Sequence, residues 1–204
     1  MSEEQKAEGA TPEVVEVDRI RLMAYASLFA ALTAVGAYIT IPMPAVPFTL
    51  QGLFVRLSGL LLGGLWGGVS IGVYFLVGAA GLPVFVGGTG GVGHLLGPTG
   101  GYLVGFVVAA SVIGFVSENP PFSRGSRLKV LGWDLLACVV GMVVIYVLGL
   151  VWLMHVTGMN LAAALVPGAL KFVPGDLLKS AVAALIAQRV RPLLDVGPFA
   201  DAEK

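Results

Sequence analysis

The sequence has one cysteine, two histidines and very little charge. A single cysteine excludes a disulfide framework and any cysteine-based metal site. Lys, Arg, Asp and Glu together make up 12% of the 204 residues, about half of the ~25% usual in soluble domains. The 12 basic residues balance 12 acidic ones, so there is no basic face for a nucleic acid. No G-x-x-x-x-G-K-[ST] run occurs, so the chain carries no phosphate cradle for an ATPase of its own. What is abundant is apolar: 57% hydrophobic residues and 29 glycines, with a mean hydropathy of +0.92. This composition excludes a disordered chain or a soluble enzyme and predicts an all-α integral membrane protein.

Charge and apolar runs divide the chain. Residues 1–18 hold Glu3, Glu4, Glu8, Glu13, Glu16 and Asp18 and read as a polar acidic tail. They show no basic start and no small-residue cleavage site, so no signal peptide is expected. Residues 19–192 read as the membrane domain and 193–204 as a short polar tail. Apolar runs cover 20–41, 52–81, 101–117, 131–156 and 169–187, against the roughly 20 residues a spanning helix needs. Lys and Arg cluster before the first run, in the 119–129 loop and after the last run, whereas 42–51, 82–100 and 157–170 contain none. The positive-inside rule makes the first set cytoplasmic and the second external.

That assignment decides the run 52–81. External loops flank it on both sides, so it crosses an even number of times. As one straight helix it would be about 45 Å long at 1.5 Å per residue, too long for a roughly 30 Å core. The reversal falls at Gly63-Gly64-Leu65-Trp66-Gly67-Gly68, where glycine permits a tight turn. Six transmembrane helices with both termini cytoplasmic follow.

Asp176 and Lys179 carry the strongest functional signal. A spacing of three puts them on one helix face. With the sixth helix expected from about Ala169, they lie roughly 10–15 Å along its axis. Ionisable residues at such depth mark functional sites by default, because inserting them costs a few kcal/mol; a purely structural ion pair is the alternative. Pro174-Gly175 ahead of them is expected to loosen the helix beside a cavity. Lys171 reads as a snorkelling residue and Asp134 as an interfacial charge. Arg56 is either a snorkelling residue or a partner for a substrate anion.

The external segments 44–51 and 81–93 are apolar and almost uncharged, as expected of a lid over a small-molecule cavity or of packing on helix ends. Ala26, Ala30 and Ala34 form a small-residue stripe that allows close helix approach, within the chain or to a partner. Three motif matches fail on context. Residues 88–93 match G-x-G-x-x-G without a βαβ unit. Residues 68–72 match G-x-S-x-G inside a membrane helix rather than at a strand-to-helix elbow. His94 and His155 lack ligand company at metal spacing.

The runs LFAALTAVG (28–36), VPFTLQ (46–51), GLPVF (81–85), GPTGGY (97–102) and FVPGDLLK (172–179) resemble those of the BioY family, the biotin-binding S components of energy-coupling factor (ECF) transporters. The resemblance extends from about Tyr25 to Gln188. It implies a biotin pocket near the external face and coupling to a T component with two cytoplasmic ATPases. It also implies that the Ala26, Ala30, Ala34 stripe docks the T component, and that Asp176 and Lys179 contact biotin. Asp176 would accept from a urea N–H, and Lys179 would donate to the urea oxygen or the ligand carboxylate, in charge-assisted bonds. Thr49, Gln51, Tyr74, Phe85, Thr99 and Tyr102 are the candidates for the rest of the pocket. No cofactor and no enzymatic activity are expected. Two alternatives stay open: an S component for another small vitamin, and an intramembrane hydrolase using Ser70 with a histidine.

Overall fold

The computed structural model of the chain describes residues 12–122 and 126–194. The polar tails proper, 1–11 and 195–204, lie outside the described residues. Helix α1 runs from Pro12 to Tyr38, so it takes in the last residues of the expected acidic tail. A proline opens it, and a missing backbone N–H costs nothing in a first turn. A two-stranded ribbon follows, β1 (Thr40–Ile41) antiparallel to β2 (Phe48–Thr49). Then come α2 (Gln51–Ala79), a short α3 (Val92–Leu95), α4 (Gly100–Glu118) and α5 (Arg127–Thr157). A short α6 (Leu161–Gly168) and α7 (Val173–Val190) complete the order.

Helix α2 is two helices. Gly63 interrupts it at φ 82°, ψ −177°, a region open almost only to glycine. A Cβ placed on Gly67 would lie 2.8 Å from the Gly59 Cα, although eight residues of straight helix span about 12 Å. The two arms, 51–62 and 64–79, therefore fold back on one another. The amide of Gly64 donates to Glu118 Oε1 at 2.8 Å, so a carboxylate caps the second arm where the helix dipole favours negative charge. Counting both arms, six helices cross the bundle, as the loop charges required. Each arm is shorter than a free-standing span, which is tolerated where neighbouring helices cover it; residues from Val55 to Gly64 are buried throughout.

Outward faces are apolar too: Leu65, Leu76, Val143, Val147, Val151, Leu178 and Leu185 are exposed, as suits a surface facing lipid. The helices bury three apolar clusters between them, one around Leu60, Ile113 and Cys138, one around Ile145, Leu153 and Phe172, and one around Val55, Ile71 and Phe85.

The alanine stripe turns inward. Ala26 is buried in the first of these clusters and Ala30 in the third, with Ala34 packed beside the third. The Ala26 carbonyl accepts from Ser70 Oγ at 2.7 Å. Of the two uses expected of this stripe, the internal one is seen here: α1 and the second arm of α2 use it to approach one another, as small residues allow.

Two expectations change. Residues 161–168 form a helix rather than an open loop, with Asn160 Oδ1 accepting from the Ala163 amide as its N-cap. The last crossing helix starts at Val173, later than Ala169, with Pro174 in its first turn where no backbone bond is lost. Asp176 consequently sits in the first turn of α7 rather than deep along it, and the helix is not loosened there.

Candidate functional site

The end of the bundle away from the cationic loops holds an open cavity, about 650 Å³ when the space at its mouth is included. The ribbon, the start of α2, the 86–99 segment, the start of α4, the middle of α5 and the start of α7 all contribute. Its walls are mainly apolar, from Phe48, Leu103, Phe106, Ile145 and Phe172.

Its polar floor is built by α7 and two partners. Lys179 Nζ donates to Asp176 Oδ1 at 2.9 Å and to the Thr49 carbonyl at 2.7 Å, and sits 3.5 Å from the centroid of the Phe48 ring. The lysine thus ties the ribbon to α7 as well as neutralising Asp176. Phe48 also stacks parallel to Phe172 at 6.0 Å. Its ring occupies the space a Cβ on Gly175 would need; this is why a glycine precedes Asp176. Lys171, half-buried, donates to the Pro44 carbonyl at 2.8 Å, in keeping with a snorkelling residue.

Asp176 has a second donor, Tyr146 Oη, 2.6 Å from its Oδ2. The Arg56 guanidinium approaches from α2, with Nη2 3.9 Å from Asp176 Oδ1. Arg56 is 1% exposed. Its Nε donates to Ser180 Oγ at 2.9 Å and its Nη1 to the Gly52 carbonyl at 2.7 Å.

Six of the eight residues expected at the ligand line this cavity: Thr49, Gln51, Thr99, Tyr102, Asp176 and Lys179. Thr49 donates to Gln51 Oε1 at 2.8 Å, and Tyr102 donates to the Gly168 carbonyl at 2.8 Å. Tyr74 and Phe85 stand behind the wall instead. Tyr74 accepts from the Gln51 amide and donates to the Val84 carbonyl, and Phe85, fully buried, packs edge-on against Tyr74. Both orient Gln51 and the 84–86 segment rather than facing the cavity.

Tyr146 and His94 are cavity residues that the sequence pattern does not single out for the ligand. Tyr146 is one hydroxyl in a long apolar run and carries no spacing signal. His94 lines the cavity, held between Thr89 and Thr99 through its two ring nitrogens. Thr89 Oγ1 already donates to the Val86 carbonyl, so it accepts from His94 Nδ1–H, leaving Nε2 to accept from Thr99. Burial keeps this imidazole below its ordinary pKa, consistent with a neutral ring. Ser70, the alternative nucleophile, uses its hydroxyl in the α1–α2 contact. Among the described residues no group of three His, Cys, Asp or Glu is arranged to hold a metal.

Comparison with known proteins agrees with this architecture. The BioY family model matches residues 5–196. A protein of Pyrococcus horikoshii named as a probable biotin transporter BioY is 42% identical over 81% of this chain and 93% of its own length. The biotin transporter BioY of Thermotoga maritima is 42% identical over 85% of this chain and 98% of its own. A crystal structure of the S-component for biotin from an ECF-type ABC transporter superposes with a TM-score of 0.75 at 28% identity, covering 94% of each chain. With six crossing helices and relatives matched over nearly their whole length, this multi-pass membrane protein belongs to the BioY family.

Proposed function

We propose that this protein binds biotin in the cavity above Asp176 and serves in its uptake as the substrate-specific component of an ECF-type ABC transporter. The observation that carries the reading is the Asp176–Lys179 pair, buttressed by Tyr146 and Arg56, at the floor of an otherwise apolar cavity. The similarity to named biotin transporters along most of the chain supports the same ligand.

Biotin suits such a surface chemically. Its fused ring offers two urea N–H donors and a carbonyl acceptor, while its thioether and side chain are apolar. Asp176 retains lone pairs beyond those met by Lys179 and Tyr146 and accepts a urea N–H. The aromatic wall of Phe48, Phe106 and Phe172 covers the apolar parts. By the distribution of Lys and Arg, the cavity opens to the external side and both termini are cytoplasmic. The chain has no nucleotide-binding motif, so energy for uphill transport comes from partners, a T component and two cytoplasmic ATPases.

Equilibrium binding of labelled biotin to the detergent-purified protein, with other small vitamins as competitors, tests the reading. Tight binding displaced by unlabelled biotin alone is the expected result. Displacement by a different vitamin would retain an S-component role and replace the ligand, and no binding by a folded sample would refute the biotin assignment.

A further inference from the structure

Helix α5 is longer than the membrane core is thick. Its 31 residues span about 46 Å at 1.5 Å each, against a hydrocarbon core of roughly 30 Å. Trp133 and Trp152 are both half-buried, with their indole N–H groups on the Val116 and Gly97 carbonyls at 2.6 and 2.9 Å. Along the helix they stand about 28 Å apart. Tryptophan favours the membrane–water interface, so the two rings mark the two boundaries of the core. Arg127 and Lys129 then lie about 6–9 Å beyond the cytoplasmic boundary, in the layer of lipid headgroups.

The end of α7 reaches the same layer. Gln188 Nε2 donates to the Arg127 carbonyl at 2.7 Å, which sets Arg189 beside the first turn of α5. Arg127, Lys129 and Arg189 are all exposed, and none is ion-paired among the described residues. The acids of α4 and α5 are committed elsewhere, Glu118 to the Gly64 amide and Asp134 to Arg191. Between these cations stand the two most exposed large apolar side chains of this end, Leu128 at 81% and Leu193 at 79%. Exposed Val182, Leu185 and Ile186 carry the apolar surface along α7 into the membrane. The cations of α1 differ. Arg19 and Arg21 are exposed too, but Glu13, Glu16 and Asp18 share their helix, so three acids offset two cations.

We propose that the corner between the start of α5 and the end of α7 binds an anionic phospholipid of the cytoplasmic leaflet. Arg127, Lys129 and Arg189 hold its phosphate, and its acyl chains lie along the exposed leucines. Arginine suits a phosphodiester because its guanidinium can meet two oxygens at once, and clustered cations at this depth attract anionic lipid. The lipid bridges two helices next to the buried Asp134–Arg191 pair and so braces the bundle. The site is independent of what the cavity binds.

The test compares wild type, the triple variant Arg127→Gln, Lys129→Gln, Arg189→Gln, and the α1 double variant Arg19→Gln, Arg21→Gln. Each is purified in detergent and titrated with phosphatidylglycerol or with phosphatidylcholine of the same acyl chains. Melting temperature and the lipid retained in native mass spectrometry are read together, since a ligand of the folded state raises the melting temperature. Wild type is expected to retain phosphatidylglycerol and to be stabilised by it more than by phosphatidylcholine. Removing one cation should raise the half-saturating lipid fraction about 5-fold, and removing all three on the order of 100-fold. The α1 double variant should follow wild type. Exposed positions rarely decide folding, and Arg189→Gln alone, at about 5-fold, serves if the triple variant does not fold. A wild-type response in the folded triple variant, or an equal loss in the α1 double variant, would overturn the proposal by making the attraction one of general charge. Stabilisation by inorganic phosphate equal to that by phosphatidylglycerol would overturn it in favour of a free anion. No preference for phosphatidylglycerol in folded wild type would also overturn it and leave the patch to an acidic protein segment.

Discussion

Arg191 grips Asp134 with both arms of its guanidinium, Nη1 2.8 Å from Oδ2 and Nη2 3.0 Å from Oδ1. Its Nε reaches the Leu60 carbonyl at 3.0 Å, and Ser117 donates to Asp134 Oδ1 at 2.6 Å. One buried cluster thereby fastens the ends of α2's first arm, α4, α5 and α7 at the face opposite the cavity. Asp134, expected at the interface, is 1% exposed; the interfacial reading fails because Arg191 folds back under the bundle to meet it.

Breaking a buried ion pair from one side leaves a charge without compensation, at about 3–5 kcal/mol. Asp134→Asn is therefore expected to lower thermal stability in detergent sharply. Asp134→Leu combined with Arg191→Met should recover part of the loss, since a well-packed apolar replacement is often tolerated. Ligand affinity of the folded fraction should be near that of wild type, because the cluster lies away from the cavity. Equal melting temperatures for Asp134→Asn and wild type would contradict the role assigned to the pair.

Substitutions at the cavity floor should form a graded series in biotin-binding titrations. Asp176→Asn removes the charged acceptor and leaves two cations facing one another, and should weaken binding most. Lys179→Met frees both Asp176 and the ribbon from their tie and should also weaken it strongly. Tyr146→Phe removes one hydrogen bond to a carboxylate, worth about 1.5–3 kcal/mol, and should cost about 10- to 100-fold. Wild-type affinity in Asp176→Asn and Lys179→Met together would remove this surface as the site.

The reversal of α2 depends on one residue. Gly63→Ala forces a side chain into a backbone region that costs on the order of 1–3 kcal/mol, and should reduce the melting temperature. Gly72, in the second arm, borders open space, and a methyl group added there would meet nothing within 4 Å. Gly72→Ala should leave stability unchanged or raise it slightly through helix propensity. If the two variants melt alike, the kink is not strained in the way described.

His94 sets a pH dependence. Burial lowers its folded pKa below the usual ~6.5, so the unfolded chain binds the proton more readily. The stabilisation from a neutral His94 is complete above about pH 6.5 and is lost as pH falls from there through the lower folded value. Melting temperature should drop over that window in wild type and drop less in His94→Gln. An NMR titration placing the His94 midpoint above 6.5 would reverse the sign and refute the account.

Much of the architecture was legible in the chain itself. Run lengths and the placement of Lys and Arg demanded six crossings and a reversal within 63–68, and the break is at Gly63. The i, i+3 spacing put Asp176 and Lys179 together because both belong to one helix, whose local geometry a sequence encodes directly. Contacts between helices were another matter. In a membrane the lipid-facing surface is as apolar as the interior, so hydrophobic periodicity does not say which way a helix faces. That is why the alanine stripe had two open readings, why Tyr74 and Phe85 could not be told from wall residues, and why Tyr146 gave no signal. It is also why Arg56 had two open readings. Only the folded bundle, by fixing how far each helix is rotated and how deep it sits, brings Arg56 beside Asp176 and Arg191 onto Asp134. Composition and charge determined that this chain crosses a membrane six times around one acidic–basic pair; helix rotation decided what that pair meets.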